Sequence, residues 1–169
     1  MRWQSLLIAV VVSLAAQASF AAADRVQDFR NWVDYRAPDG SFSISFPAPP
    51  KKLTSSRSEP GLTVSTTDIS VGGFGLTISE GLAVADPNVV GALLDRMAGP
   101  KGADKPEYVR AISLGAVPGR ENLMFRDRAW VYQRFYWTGT RLYNLMVTMP
   151  ARDDKAVSVR HFFESFRLK

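Results

Sequence analysis

AWVYQRFYWTGTRLYNLMVTMP, residues 129–150, decides the fold. Two nine-residue runs of mostly aromatic and aliphatic side chains, Ala129 to Trp137 and Arg141 to Met149, flank Thr138-Gly139-Thr140. Such runs around a Gly-containing joint predict an antiparallel hairpin. Pro150 ends it, because proline has no N–H to give to a ladder. Register then decides which side chains face the core. A two-residue loop puts Tyr136 on the face of Tyr143, whereas a three-residue loop puts Phe135 there. One step of slip exchanges the whole set. Tyr143, Leu145, Val147 and Met149 are assigned to the core, and the facing strand stays open.

Further strands lie upstream. Phe42, Ile44 and Phe46 alternate with Ser41, Ser43 and Ser45, the period-two pattern of a strand with one buried face. Ala37-Pro38-Asp39-Gly40 is turn chemistry before it, and Trp32 to Arg36 reads as a first strand. Lys51 to Ser58 follows three prolines and is polar, as an exposed edge strand is. Leu62 to Ser70 and Phe74 to Val84 form a hairpin turned at Gly72-Gly73. Tyr108 to Val117 is a strand broken at Pro118-Gly119, and Glu121 to Phe125 either extends it or begins the next.

Two helices interrupt this pattern. Asp86 and Pro87 suit an N-cap and first helical position ahead of the stripe Val90, Leu93, Leu94 and Met97. Gly99-Pro100 stops that helix. Asp153 or Asp154 caps the second, whose stripe is Val159, Phe162, Phe163 and Phe166. The expected architecture is an α+β domain, an antiparallel sheet covered by two amphipathic helices.

The chain opens MRWQS, then runs through an 11-residue apolar stretch, Leu6 to Ala16, and a small-residue stretch ending at Ala23. A basic start, a short apolar core and small residues before a cut describe a secretory signal peptide. Ser19 with Ala21, or Ala21 with Ala23, satisfies the peptidase pocket, and cleavage after Ala23 is favoured. The apolar run is shorter than the roughly 20 residues of a spanning helix. The expected organisation is a signal peptide over 1–23, a lead-in over 24–31 and a single domain over 32–169. The mature chain is expected to be soluble, periplasmic or secreted.

Composition excludes several chemistries. With no cysteine, the chain has no disulfide, no zinc–thiolate site, no thiol nucleophile and no lipidated cysteine. Its single histidine, His161, cannot build a multi-histidine metal site and has no sequence-near partner to orient it as a triad requires. It is read as a surface side chain beside Arg160 and Glu164. Asp153-Asp154 is the one adjacent acid pair and is accounted for by helix capping. Gly72-Gly73-Phe74-Gly75 lacks the Lys-Ser/Thr and the helix of a phosphate loop. No cofactor or metal motif is present.

Without Arg2, 20 basic residues face 16 acidic ones, a net charge of +4. Residues 110–141 hold six arginines against Glu121 and Asp127, so the excess sits there. A basic face suits an anionic surface or an envelope protein. Alternating charges on a solvated strand face are the other reading. Nucleic acid fits poorly with an export signal and no binding motif. The densest feature is Trp130, Tyr132, Arg134, Tyr136 and Arg141. Exposed, these aromatics and arginines make a recognition surface; buried, they are core.

"APDGSFSISFPAPPKK" at 37–52, "PGRE" at 118–121, "GTRLYNLMVTMP" at 139–150 and "RHFFESFRLK" at 160–169 resemble the PsbP-like family of bacterial exported proteins. The resemblance spans about Trp32 to Lys169 and rests on Gly139, Arg141, Leu142, Tyr143, Phe162 or Phe163, Ser165 and Phe166. It implies a PsbP-like αβα layered sandwich, with accessory or binding roles rather than one shared catalytic site. The first functional reading is therefore an exported accessory or binding protein of the cell envelope. An envelope hydrolase using dispersed carboxylates is the second. A carrier of a small apolar ligand between sheet and helix is the third.

Overall fold

A computed structural model describes residues 29–59, 62–82, 89–100 and 104–169. The signal segment with its cut at Ala23, most of the lead-in, and the expected cap Asp86-Pro87 lie outside the described residues.

Among the described residues, ten strands form two antiparallel sheets. The small sheet holds β1 (Val33–Arg36), β2 (Phe42–Phe46) and β10 (Arg167–Leu168), with β2 in the middle. The large sheet runs β3 (Lys51–Glu59), β4 (Leu62–Val71), β5 (Phe74–Glu80), β9 (Arg141–Met149), β8 (Ala129–Trp137), β7 (Val117–Arg126) and β6 (Pro106–Leu114) in that order. All its pairings join chain neighbours except β5 with β9, which encloses the intervening 60 residues as a second meander.

The expectation of a helix-covered αβα sandwich is overturned. Among the described residues, the two α-helices, α1 (Val90–Ala98) and α2 (Val157–Ser165), have nine residues each. Each is about 14 Å long at about 1.5 Å per residue. Seven strands at roughly 4.8 Å spacing span about 29 Å. Such helices cannot cover the sheet, and the fold is sheet-dominated. The edge strand expected from Lys51 is present, so the difference lies in the shortness of the helices.

α2 runs beside β2, where the Ser45 N–H donates to the Ser165 hydroxyl at 3.0 Å, and packs with the small sheet on the inner face of the large one. Phe162 meets Phe46 and Phe74 with ring centroids 5.5 and 5.3 Å apart, and Phe163 meets Tyr132 at 4.6 Å. Phe166, just past the helix, meets Tyr143 at 5.5 Å. Ile44, Phe46, Ile69, Leu76, Leu145 and Val147 complete this core. On the outer face, Leu94 and Ala98 of α1 pack on Phe135, Trp137 and Leu142.

Other local expectations change. The cap of α2 is Ala156, with no side-chain hydrogen bond, rather than Asp153 or Asp154. Pro118-Gly119 does not break a strand but sits inside β7, and the turn falls at Gly115-Ala116. Gly119 is needed there for space. A Cβ would lie 2.5 Å from the Phe135 carbonyl oxygen and 2.7 Å from the Tyr136 ring. His161 is half-buried, stacked on Phe29 at 4.1 Å and edge-on to Trp32 at 4.7 Å, not a bare surface side chain.

Candidate functional site

The β8–β9 register resolves the open face. Tyr136 stands directly opposite Tyr143, and the Thr138 N–H donates to the Arg141 carbonyl at 3.1 Å. The loop is thus the two-residue Gly139-Thr140, with Gly139 at φ +92°, a conformation that favours glycine at the first loop position. Tyr132, Arg134 and Tyr136 consequently face inward, and both tyrosines are buried.

The five aromatic and arginine candidates do not form one site. Trp130 sits at one end of the hairpin, half-buried, 5.4 Å from the exposed Phe125 ring and 5.2 Å from the Arg152 guanidinium. Arg141 sits at the other end. About 25 Å of strand separates them, at about 3.3 Å per residue.

Between them lies a buried charge cluster. The Glu121 side chain is wholly buried and sits between two guanidinium groups. Arg134 donates to it at 2.7 Å, Arg110 pairs with it from the neighbouring strand, and the Tyr108 hydroxyl approaches at 3.5 Å. Arg134 also donates to the Tyr132 hydroxyl at 3.3 Å and stacks on Phe163 at 4.7 Å. Burial raises the Tyr108 and Tyr132 pKa values, so both phenols stay neutral. Every ligand here is internal, and the cluster ties β6, β7 and β8 to α2.

Arg141 instead opens on a cleft of about 590 Å³, within the usual range for small-molecule sites. The cleft lies where the end of the large sheet's inner face meets β2 and β10. One cross-strand row makes part of its wall: Glu80 stands opposite Arg141, and Arg141 opposite Thr138. The Arg141 Nε donates to Glu80 at 2.5 Å and its Nη1 to Asp39 at 2.7 Å. Asp39 also accepts from the Ser41 hydroxyl at 2.6 Å and the Ser41 N–H at 3.0 Å. These Ser41 hydrogen bonds, then Arg141, hold the Asp39 carboxyl well below the usual carboxylate range. Asp39, then the Tyr143 hydroxyl and Glu80, raise the Arg141 pKa further above its ordinary value.

The cleft therefore presents the Arg141 guanidinium with Glu80 beside it in the wall, while Asp39, which does not line the cleft, holds the guanidinium from behind. Hydroxyls of Ser41, Thr138 and Thr140 surround it, Lys169 adds a cation, and Val117 and Leu168 add apolar walls. Such a set binds polar groups by hydrogen bonds with little reorganisation. Asp39 offers no proton near neutrality, which disfavours acid catalysis there. Asp39 and Glu80 lie 102 and 61 residues from Arg141 in sequence, so no local pattern announces them.

The basic excess is largely spent inside the molecule. Of the six arginines in 110–141, Arg110 and Arg134 pair with Glu121, Arg120 with Asp95, Arg126 with Asp127, and Arg141 with Asp39 and Glu80. Among the described residues, no group of three or more His, Asp or Glu could hold a metal, and no helix is long and apolar enough to cross a membrane.

No family model and no curated protein matches this sequence. Among solved structures, the chain is similar to the cyanobacterial PsbP (CyanoP) of Synechocystis, at 10% identity and a TM-score of 0.50, over 88% of this chain and 98% of that one. A Pseudomonas aeruginosa protein of unknown function, titled a putative regulator, aligns at 12% identity and a TM-score of 0.38, over 74% and 87% of the two chains. At this identity the first likeness shows the fold alone: the chain has a PsbP-like fold.

Proposed function

We propose that this chain is an exported accessory or binding protein of the cell envelope, and that the Arg141 cleft is its recognition site. The observation carrying this reading is the cleft itself, with Arg141 pre-set between Asp39 and Glu80 by bonds of 2.7 and 2.5 Å. Pre-organised polar groups in a concave site lower the ordering cost of binding. The PsbP-like fold supports an accessory role, and the amino-terminal pattern supports export. The partner is an envelope protein that inserts a polar segment between the two sheets.

A photo-crosslinking residue at Thr140, in the native host, tests this. The expected result is one discrete adduct in the envelope fraction, lost when Arg141→Ala is added. No adduct, or one that survives Arg141→Ala in a folded protein, overturns the site. Recovery of the chain uncleaved in the cytoplasm overturns export.

A further inference from the structure

We propose that strand β3 is an edge at which two copies of this chain pair, antiparallel and two-fold about Ser55, joining two seven-stranded sheets into one. β3 runs nine residues and, among the described residues, has β4 as its one neighbour. Its register with β4 continues from Lys51 to Glu59 without a shift. Residues 51–58 are all exposed, and none of them is proline. Leu53, at 69% exposure, is the most exposed large hydrophobic side chain described.

A long, regular, uncovered edge is a template for another strand unless something blunts it. The opposite edge, β6, is blunted. It begins with Pro106, its register shifts between Pro106 and Tyr108, and Arg110 is drawn onto Glu121. β3 has neither the proline nor the shift. Its Lys51-Lys52 pair guards one end only.

The strand's own sequence suits a second copy. Pairing about Ser55 sets Thr54 across from Ser56, Leu53 across from Arg57 and Lys52 across from Ser58. The first pair continues a hydroxyl ladder already present on that face, where Thr54 meets Thr67 at 3.3 Å and Ser58 meets Thr63 at 3.2 Å. The second lays a methylene stem over Leu53. No cation opposes a cation. Slipping one or two residues in one direction sets Arg57 against Lys52 or Lys51, and a slip either way shortens the overlap.

The absence of cysteine makes the register directly testable in the full chain. Opposed residues in an antiparallel ladder have Cα atoms about 4.5–5.5 Å apart, within disulfide reach. Ser55→Cys, at the two-fold, should give a reducible dimer on mild oxidation. Leu53→Cys should not, because the two copies of residue 53 lie about 13 Å apart along the strands. By sedimentation velocity, wild type should be dimeric and Leu53→Lys monomeric. Val109→Lys, on the other edge, should remain dimeric. Circular dichroism checks that each variant is folded. A monomeric wild type, equal crosslinking at 53 and 55, or equal loss of the dimer in Val109→Lys overturns the proposal. So does a monomer that instead gains a strand from a different protein.

Discussion

Glu121→Gln separates a recognition arginine from a structural one. The Glu121 side chain is wholly buried, and its two arginine partners differ: the Arg134 side chain is 24% exposed and that of Arg110 62%. Removing the carboxylate charge leaves Arg134 without its counter-ion against Phe163 and Tyr132. Breaking a buried ion pair costs about 3–5 kcal/mol. Arg134 keeps some access to water, which recovers part of its hydration, so about 3 kcal/mol is expected. At about 2 kcal/mol per molar urea, the unfolding midpoint falls by about 1.5 M with an unchanged slope. Arg110→Ala, at an exposed position, should cost at most about 1 kcal/mol. Urea unfolding followed by tryptophan fluorescence reads both. If Glu121→Gln costs under about 1 kcal/mol, or no more than Arg110→Ala, the cluster is not the brace described here. Arg134→Ala, studied below its melting temperature, should leave the Thr140 adduct intact.

Arg128, at φ +65° beside Asp127 at +51°, occupies a turn whose central residues both need positive φ. A left-handed non-glycine residue costs about 1–2 kcal/mol, so Arg128→Gly should stabilise by up to about 1 kcal/mol after the unfolded-state entropy of glycine is counted. Calorimetry should show a melting temperature a few degrees higher, and an unchanged or lower value would refute the strain. Asp39 has a folded pKa below its ordinary 3.8, so it contributes stability that is full above that value and is lost as pH falls below it. The gap between wild type and Asp39→Asn should therefore narrow from pH 7 to pH 3, and a gap that stays constant would show that folding does not depress the Asp39 pKa.

Local periodicity made much of the fold legible. The alternation of Phe42, Ile44 and Phe46, the Gly72-Gly73 turn and the stripe Val159, Phe162, Phe163 and Phe166 each report a burial pattern written in neighbouring residues. Layer proportions were not so written. The edge strand at Lys51–Ser58 reads from its polar sequence alone, but the nine-residue lengths of the two helices do not. The site was legible at Arg141 alone. Its partners Asp39 and Glu80 arrive through tertiary pairing across the two sheets, and turn chemistry already explained Asp39. Tyr132, Arg134 and Tyr136 were ambiguous for a different reason: one residue of loop length moves all three between water and core.

The two proposals constrain each other geometrically. A two-fold relating antiparallel neighbour strands stands perpendicular to the sheet, so both inner faces would lie on the same side. Glu80 stands opposite Ser65, and Ser65 opposite Ser56, one residue from the proposed axis. Five strand spacings of roughly 4.8 Å would separate the two Glu80 rows, placing the clefts about 25 Å apart. The surface between them would be the hydroxyl ladder of Thr54, Thr67, Ser56 and Ser65. Two sites so placed can engage a repetitive or two-fold partner at once, and the second contact then forms at a high effective concentration. A monomer would present each cleft alone. Edge pairing would therefore set the avidity of the Arg141 site without touching it.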